Sequence, residues 1–291
     1  EKTVAASCKY VRREIRTLTE SDREVFFSAV SVLQNVPTEE GQRRWGYKYK
    51  DKDYFNRLHL YYGADRDCDH WHEGPGFVTS HMAITLEFEQ SLQAVNPMVT
   101  VPYWDFTLES TFYNTETWRQ SPVFGPQWFG TASPDNEWHT VTEGRWAFVP
   151  TMANARNFSR ITNSYGLLRA PWNNDPTPFM TRHDHVYGFF NNLEPRGCDG
   201  YAKCLEFNTW SGVATCLNTD AHGHIHELIG GSWNHRSHRA KLEEVSTQLL
   251  PSAMDFVHIT QALSKELWRK GFMQCPEYCA MDTPSSECAC T

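Results

Sequence analysis

The distribution of histidines constrains this chain more than any other feature of its sequence. Thirteen histidines occur among 291 residues. Most of them fall into two groups, which comprise His59, His70, His72 and His81 in the first and His222, His224 and His226 in the second. The neutral imidazole ring is a ligand type that suits copper and zinc. The grouping therefore predicts metal binding. Five other histidines are expected to be surface or hydrogen-bonded residues, namely His139, His183, His185, His235 and His238.

Four segments are predicted to be helical, two of them from hydrophobic residues at helical spacing and two from the glycines that follow them. The predicted helices cover about residues 21–36, 80–94, 221–229 and 253–270. Ser21 and Glu24 are expected to form a capping box at the start of the first helix. Residues 37–78 and 106–180 show little periodicity and are predicted to be irregular. We therefore expect a mainly α fold, with a metal-binding four-helix-bundle core, long irregular loops and a few short strands.

The second histidine group lies on the third predicted helix. Residues four apart share one face of an α-helix, so His222 and His226 can bind one ion while His224 points away. His258 lies on the fourth predicted helix. Helical histidines that face each other across a bundle form a compact metal cage. This arrangement predicts that the ligands come from more than one helix.

The charge balance excludes two classes of partner. The chain has 27 basic and 35 acidic side chains, a net charge of −8, whereas nucleic acids and anionic membranes bind basic surfaces. No apolar run approaches the roughly 20 residues of a membrane span. We therefore expect neither nucleic-acid binding nor a membrane-spanning segment.

Nine cysteines indicate an oxidising compartment. Cys198, Cys204 and Cys216 lie close together in the sequence, which favours a local disulfide. Residues 275–290 contain the pattern C-x3-C-x8-C-x-C, which predicts further disulfides or, alternatively, a zinc site. We expect a secreted protein or one in a lumenal or vacuolar compartment, and the sequon at Asn157 agrees with a glycoprotein.

Residues around both histidine groups match a known pattern. The segment His72-Glu-Gly-Pro-Gly-Phe-Val-Thr-Ser-His81 fits H-x-x-P-x-F-x-x-x-H, and Val101-Pro-Tyr-Trp-Asp105 follows it. The segment His222-Gly-His-Ile-His226 fits H-x-x-x-H and precedes a glycine pair. Both resemble the type-3 copper motifs of tyrosinases, catechol oxidases and molluscan haemocyanins. The resemblance implies a tyrosinase-like dicopper domain over residues 1–272, followed by a cysteine-rich tail, or the start of a further module, over residues 273–291.

The resemblance implies two copper ions, each held by three histidines. They are His59, His72 and His81 for the first ion and His222, His226 and His258 for the second. Around His258 the chain departs from the family, because the usual Asp-Pro and one histidine are missing from residues 252–259. A missing third ligand would weaken or empty the second site.

Two alternatives stay open near the first copper motif. Cys68-Asp-His70 resembles the C-x-H sequence in which the cysteine forms a thioether with a copper-ligand histidine. The spacing to the proline and phenylalanine favours His72 as the ligand instead, in which case Cys68 is available for a disulfide. Asp105 is expected either to orient a ligand imidazole or to cap the segment that follows it.

The resemblance further implies an oxidoreductase that uses O2 and a phenolic small molecule. Family members that hydroxylate monophenols commonly hold a water with a glutamate and with an asparagine directly after the first ligand of the second copper. Gly223 takes the asparagine position here, and Glu194 and Glu206 are the candidates for the glutamate. We therefore expect an o-diphenol oxidase like the catechol oxidases, with weak tyrosinase activity at most. The alternatives are a copper-poor structural or assembly protein and a haemocyanin-like O2 carrier.

Overall fold

The computed structural model describes most of the chain. The described residues are 8–63, 67–72, 74–113, 117–151, 179–183, 194–230, 268–272 and 274. They are mainly helical with long connections, which confirms the predicted fold class. Strand pairing in this part is limited to three isolated bridges, between Glu14 and Tyr103, Thr140 and Thr181, and Pro150 and Phe179.

Eight α-helices are present among the described residues. They are α1 (Glu20–Asn35), α2 (Thr38–Trp45), α3 (Lys52–Gly63), α4 (Phe77–Val95), α5 (Thr107–Phe112), α6 (Cys198–Cys204), α7 (Trp210–Cys216) and α8 (His224–Gly230). A π-helical segment, Leu217–Gly223, lies between α7 and α8. Short 3-10 turns occupy Ile15–Thr17, Trp118–Gln120, Pro122–Phe124 and Gly144–Trp146.

Helices α1 and α4 lie where they were predicted, but the capping box at Ser21 is wrong. Thr19 is the N-cap of α1, and its side chain accepts a hydrogen bond from the amide of Asp22. Ser21 already lies inside the helix, so its hydroxyl is not at the capping position. The N-cap of α1 therefore lies two residues before the one that the capping-box pattern predicted.

Helices α2 and α3 lie in a segment that was predicted to be irregular, so that prediction is wrong. Helix α2 is short and strongly charged, and a tertiary contact stabilises it. Gly41 is buried against Tyr49, and a Cβ at this glycine would come within 2.0 Å of the tyrosine ring. The Tyr49 hydroxyl in turn donates to the carbonyls of Val32 and Val36 at 3.1 and 2.8 Å. This packing does not follow from hydrophobic periodicity along the segment.

The chain forms two compact units. The first comprises residues 1–55 and 81–105. Its buried apolar side chains include Phe27 and Leu33 of α1 and Leu92 of α4. Glu89, a buried carboxylate of this unit, accepts two hydrogen bonds from the guanidinium of Arg12, at 2.8 and 3.0 Å.

The second unit comprises residues 56–80 and 106–291. A disulfide between Cys204 and Cys216 links α6 to α7, which confirms the predicted local bridge. Cys8, Cys68 and Cys198 carry free thiols in the described part of the chain. The fourth predicted helix except its last turn, the sequon at Asn157 and the C-terminal cysteine pattern lie outside the described residues.

The described helices do not meet the requirements of a membrane span. None of them is both long enough and apolar enough to cross a bilayer.

Candidate metal centre

Three histidines from the first sequence group come together in space. His59 lies on α3, His72 lies in the turn before α4, and His81 is the fifth residue of α4. One ring nitrogen from each lies within 4.8 Å of the others. The Nε2 atoms of His59 and His72 are 3.1 Å apart. We call these three residues the first triad.

Asp69 orients the imidazole of His72. Its side chain is 1% exposed, and it accepts hydrogen bonds from the amides of Trp71 and His72 at 3.0 and 2.8 Å. Its carboxylate oxygens also lie 2.9 and 3.0 Å from Nδ1 of His72. Because a carboxylate can only accept, Nδ1 carries the proton and Nε2 presents its lone pair. Asp69 was not predicted from the sequence, in which its signal is an acidic residue three positions before a candidate ligand.

The geometry of the first triad fits a metal ion. Two imidazole nitrogens that bind one tetrahedral ion at about 2.0–2.1 Å are roughly 3.3 Å apart. The observed separation of 3.1 Å between the Nε2 atoms of His59 and His72 is close to this value. Nε2 of His72 directs its lone pair at Nε2 of His59. The two nitrogens can therefore share a hydrogen bond or bind one metal ion.

Gly63 at the end of α3 leaves room for the imidazoles. A Cβ at this position would lie 2.8 Å from Cε1 of His72 and 3.5 Å from Cε1 of His59. The first of these distances is shorter than real carbon–carbon contacts. The glycine therefore allows the helix end to approach the two rings closely.

His222 and His226, which we call the second pair, show the same arrangement. Nδ1 of His222 lies 3.2 Å from the carbonyl oxygen of Asn218. The carbonyl can only accept, so Nδ1 carries the proton. Nε2 of His222 then presents its lone pair to Nε2 of His226, which is 2.8 Å away. Both groups thus contain an imidazole whose Nδ1 proton is held by an acceptor and whose Nε2 faces another imidazole.

The environment of His222 favours its neutral form. Burial lowers the pKa of His222, the hydrogen bond to Asn218 opposes this change, and nearby His72 lowers the pKa further whenever its own ring is protonated. A metal ion binds the neutral ring. The side chain is therefore in the protonation state that a ligand requires.

His222 and His226 were expected on one regular α-helix, but the second pair does not lie on one. His222 belongs to the π-helical segment, whereas His226 belongs to α8. The two rings nevertheless meet edge to face, with centroids 4.5 Å apart. Single π-helical turns within helices occur frequently at functional sites.

Three contacts join the segments that carry the two groups of histidines. The side-chain amide of Asn218 donates to the main-chain oxygen of His72 at 2.6 Å. The ring of Phe77 packs against His222, with centroids 5.0 Å apart. The indole nitrogen of Trp210 donates to the carbonyl of Pro75 at 2.9 Å. All these residues belong to the second unit, so the second pair lies beside His72.

His70 does not belong to the first triad. Its Nδ1 lies 3.6 Å from Sγ of Cys68, and both residues are exposed. Its amide donates to the carbonyl of Tyr62. The structure therefore places His72, rather than His70, beside His59.

The remaining candidate residues have varied positions. Asp105 directly precedes Phe106, the N-cap residue of α5, and its carbonyl accepts a hydrogen bond from Arg16. Glu194 and Glu206 are exposed. Gly223 ends the π-helical segment directly after His222. His258 lies outside the described residues.

Comparison with known proteins identifies the family. The family model described as the common central domain of tyrosinase matches residues 48–255, which is more than half of the chain. The chain belongs to the tyrosinase family. The matched range includes the first triad and the second pair, but it ends before His258.

Individual tyrosinases show moderate similarity. The chain is 30% identical to the tyrosinase of Streptomyces glaucescens over 227 residues, which cover 76% of this chain and 72% of that protein. It is 24% identical to the tyrosinase of Streptomyces antibioticus over 166 residues, or 55% and 54% of the two chains. It is 26% identical to the tyrosinase of Gallus gallus over 259 residues, or 76% and 48%. The chain thus spans about half the length of several curated relatives.

Proposed function

We propose that this chain is a type-3 dicopper oxidase that uses O2 to oxidise o-diphenols. The observation that carries the proposal is the repeated arrangement of histidines in the first triad and the second pair. In each, an acceptor holds the Nδ1 proton of one imidazole, and the Nε2 of that ring faces a second imidazole. Membership of the tyrosinase family supports copper as the metal and an oxidoreductase as the class of activity.

The residues proposed to hold copper are those that the family pattern assigns. The first triad would hold one ion, and the second pair together with His258 would hold the other. Bound copper supplies the exchange of electrons between O2 and a phenolic substrate in this family. Asp69 and Asn218 keep the rings of His72 and His222 oriented, and Phe77 covers one face of His222 against water.

The preference for o-diphenols rests on Gly223. A phenol with a pKa of about 10 is almost wholly protonated at neutral pH, and removing that proton costs roughly 4 kcal/mol at pH 7. A positioned base or a base-held water reduces this cost. Glycine has no side chain with which to hold such a water, whereas a catechol loses electrons without insertion of oxygen. We therefore expect diphenol oxidation to be faster than monophenol hydroxylation.

A pair of substitutions at Gly223 tests this preference. A Cβ at this position would lie 3.0 Å from the carbonyl oxygen of Asn218, so Gly223→Ala and Gly223→Asn introduce the same close contact. Only asparagine adds an amide that can hold a water. We expect Gly223→Asn to raise the monophenol rate at least about tenfold over Gly223→Ala, since a positioned base contributes roughly 10²–10⁴-fold. The diphenol rates of the two variants should be similar.

The measurement is the initial rate with a monophenol and with the matching o-diphenol, at equal copper content. Equal turnover of the two substrates by the unmodified protein would refute the preference. Indistinguishable monophenol rates for the alanine and asparagine variants would show that the residue at 223 does not supply the missing group.

A copper-poor structural or assembly protein is the second candidate function. The observation that favours it is the departure from the family pattern at residues 252–259, where an Asp-Pro and one histidine are missing. Copper analysis discriminates the two, because an oxidase of this type requires two ions per chain. A haemocyanin-like carrier would bind both ions and O2 but would not turn over a catechol.

The proposed location is a secretory or other oxidising compartment. The Cys204–Cys216 disulfide supports it, because such bonds persist mainly outside the reducing cytosol. The proposed partners are O2 and a small phenolic molecule. We also retain the proposal that residues 1–272 form the dicopper domain and residues 273–291 a separate tail.

A further inference from the structure

We propose that Asn218 is a positioning residue that couples the first triad to the second pair, so that metal binding at one strengthens metal binding at the other. The inference rests on the proposed dicopper site and adds a residue that the family motif does not include. Asn218 lies in the π-helical segment, four residues before His222. It contacts His72 through its side chain and His222 through its main chain.

The contact with His72 is short and directional. The side-chain amide of Asn218 donates to the main-chain oxygen of His72 at 2.6 Å. Asp69 holds the amide and the ring of the same residue. His72 is therefore held at its N–H, its carbonyl and its Nδ1. A shift of this histidine toward an ion consequently pulls on Asn218 as well as on Asp69.

The contact with His222 transmits such a shift. The carbonyl of Asn218 accepts the Nδ1 proton of His222 at 3.2 Å, and it therefore fixes the direction of the Nε2 lone pair. The same carbonyl oxygen lies 3.0 Å from the position that a Cβ of residue 223 would occupy. A side chain added at residue 223 would therefore press on this peptide group. Alignment of His72 and alignment of His222 therefore depend on the position of one residue.

Trp210 provides a matched control. Its indole nitrogen also donates one hydrogen bond to a carbonyl in the segment before α4, that of Pro75, at 2.9 Å. Asn218 forms hydrogen bonds with both His72 and His222. The hydrogen bond of Trp210, in contrast, is accepted by a proline, which is not a candidate ligand. Trp210→Phe removes this donor and keeps a large aromatic ring. This variant tests whether any hydrogen bond to the segment before α4 is sufficient to couple metal binding at the two groups, or whether the hydrogen bond of Asn218 is required.

The experiment is a set of copper(I) titrations against a chromophoric chelator. The two stepwise copper-binding constants are measured for the unmodified chain. The double variant His222→Ala/His226→Ala gives the constant of the first triad alone, and His59→Ala/His72→Ala gives the constant of the second pair alone. The coupling factor is the product of the two stepwise constants divided by the product of the two single-group constants. We expect a factor of about 5–150, the usual range for coupled sites.

In Asn218→Ala, the coupling factor should fall to about 1, whereas Trp210→Phe should leave it unchanged. Asn218→Asp serves as the variant of equal size if the alanine variant unfolds, because it too lacks the donor. If Asn218 had a purely structural role, its substitution would weaken copper binding at both groups and leave the coupling factor unchanged. This result would overturn the proposal. Two ions bound without coupling in the unmodified chain would overturn this inference alone, whereas failure to bind copper would overturn the dicopper proposal with it.

Discussion

At the scale of single residues, the candidate centre depends as much on acceptors as on ligands. His72 presents its Nε2 lone pair because Asp69 accepts at Nδ1. His222 does so because the carbonyl of Asn218 accepts at Nδ1. An imidazole held in this way loses little rotational freedom on binding an ion. Substitutions of the ligands and of the acceptors should therefore both reduce metal binding, but by different amounts.

Substitution of His72 and of His70 separates the two candidates for the same ligand position. We expect His72→Ala to lose the copper of the first triad, because only two of its three imidazoles remain. His70→Ala should keep it, because His70 lies beside Cys68 and outside the triad. The measurement is copper per chain after dialysis. Loss of copper from the His70 variant with retention in the His72 variant would reverse the assignment.

Substitution of Asp69 tests the orientation of His72. Asp69→Asn places an amide next to Nδ1 and removes the charge that holds its proton. We expect copper binding at the first triad to weaken about 10- to 100-fold, the usual effect of removing an outer hydrogen-bond partner. Asp67→Asn is the control, because it changes the same charge at an exposed position two residues away. Equal affinities of the two variants would contradict the role given to Asp69.

The ligand candidates could be found from the sequence, but their acceptors could not. His59, His72, His81, His222 and His226 stand at family spacings, and spacing is visible in a linear sequence. Asp69 acts through a turn that folds its carboxylate back onto an amide and a ring three residues later. Asn218 acts through a contact between residues 146 positions apart. Such contacts depend on tertiary packing, which hydrophobic periodicity in a single sequence does not reveal.

At the scale of elements, the connection between α7 and α8 decides the geometry of the second pair. A regular helix over residues 221–229 was predicted from the histidine and glycine positions. The π-helical segment is short and has no hydrophobic repeat of its own, so the sequence pattern could not distinguish it from an α-helical turn. Helices α6 and α7 precede it, and the Cys204–Cys216 bridge links them.

Removal of this bridge should affect both stability and the second pair. The two cysteines are 12 residues apart, and closing a loop of this size contributes roughly 3 kcal/mol to the free energy of unfolding. We expect Cys204→Ser/Cys216→Ser to lose about this amount in urea denaturation and to bind copper more weakly at the second pair, because Asn218 follows Cys216 by two residues. Cys198→Ser, which removes a free thiol from α6, is the control. A double variant as stable as this control would show that the bridge does not stabilise the fold.

At the scale of the whole molecule, the mainly α class could be predicted from the helical segments of the sequence, whereas the division into two units could not. The first unit combines residues 1–55 with residues 81–105. Its contacts therefore bring together segments that are distant in sequence, such as Arg12 and Glu89. A linear reading placed the only boundary near residue 272, because a change in cysteine density is visible without knowledge of packing. That boundary stays a prediction.

The ion pair of Arg12 and Glu89 predicts how the stability of the molecule depends on pH. Hydrogen bonds from Arg12 lower the pKa of Glu89 below its usual value of 4.5, burial opposes this change, and the amide of Val101 and the charge of Arg12 lower it further. The folded state therefore binds this proton less readily than the unfolded state. The resulting stabilisation is complete above about pH 4.5 and is lost as the pH falls through the folded pKa.

Glu89→Gln should lower the free energy of unfolding by about 1–3 kcal/mol at pH 7. The carboxylate accepts two charge-assisted hydrogen bonds from Arg12, whereas glutamine offers one neutral acceptor and directs a donor NH2 group at the guanidinium, which is itself a donor. Glu39→Gln is the control, since Glu39 is 89% exposed and lies 3.6 Å from Arg43, where an ion pair contributes little. The measurement is urea denaturation from pH 7 to pH 3. The difference between the unmodified chain and Glu89→Gln should shrink below pH 4.5, because protonation of Glu89 then removes the same charge as the substitution. A difference that stays constant down to pH 3 would show that the variant is destabilised by packing rather than by loss of the ion pair.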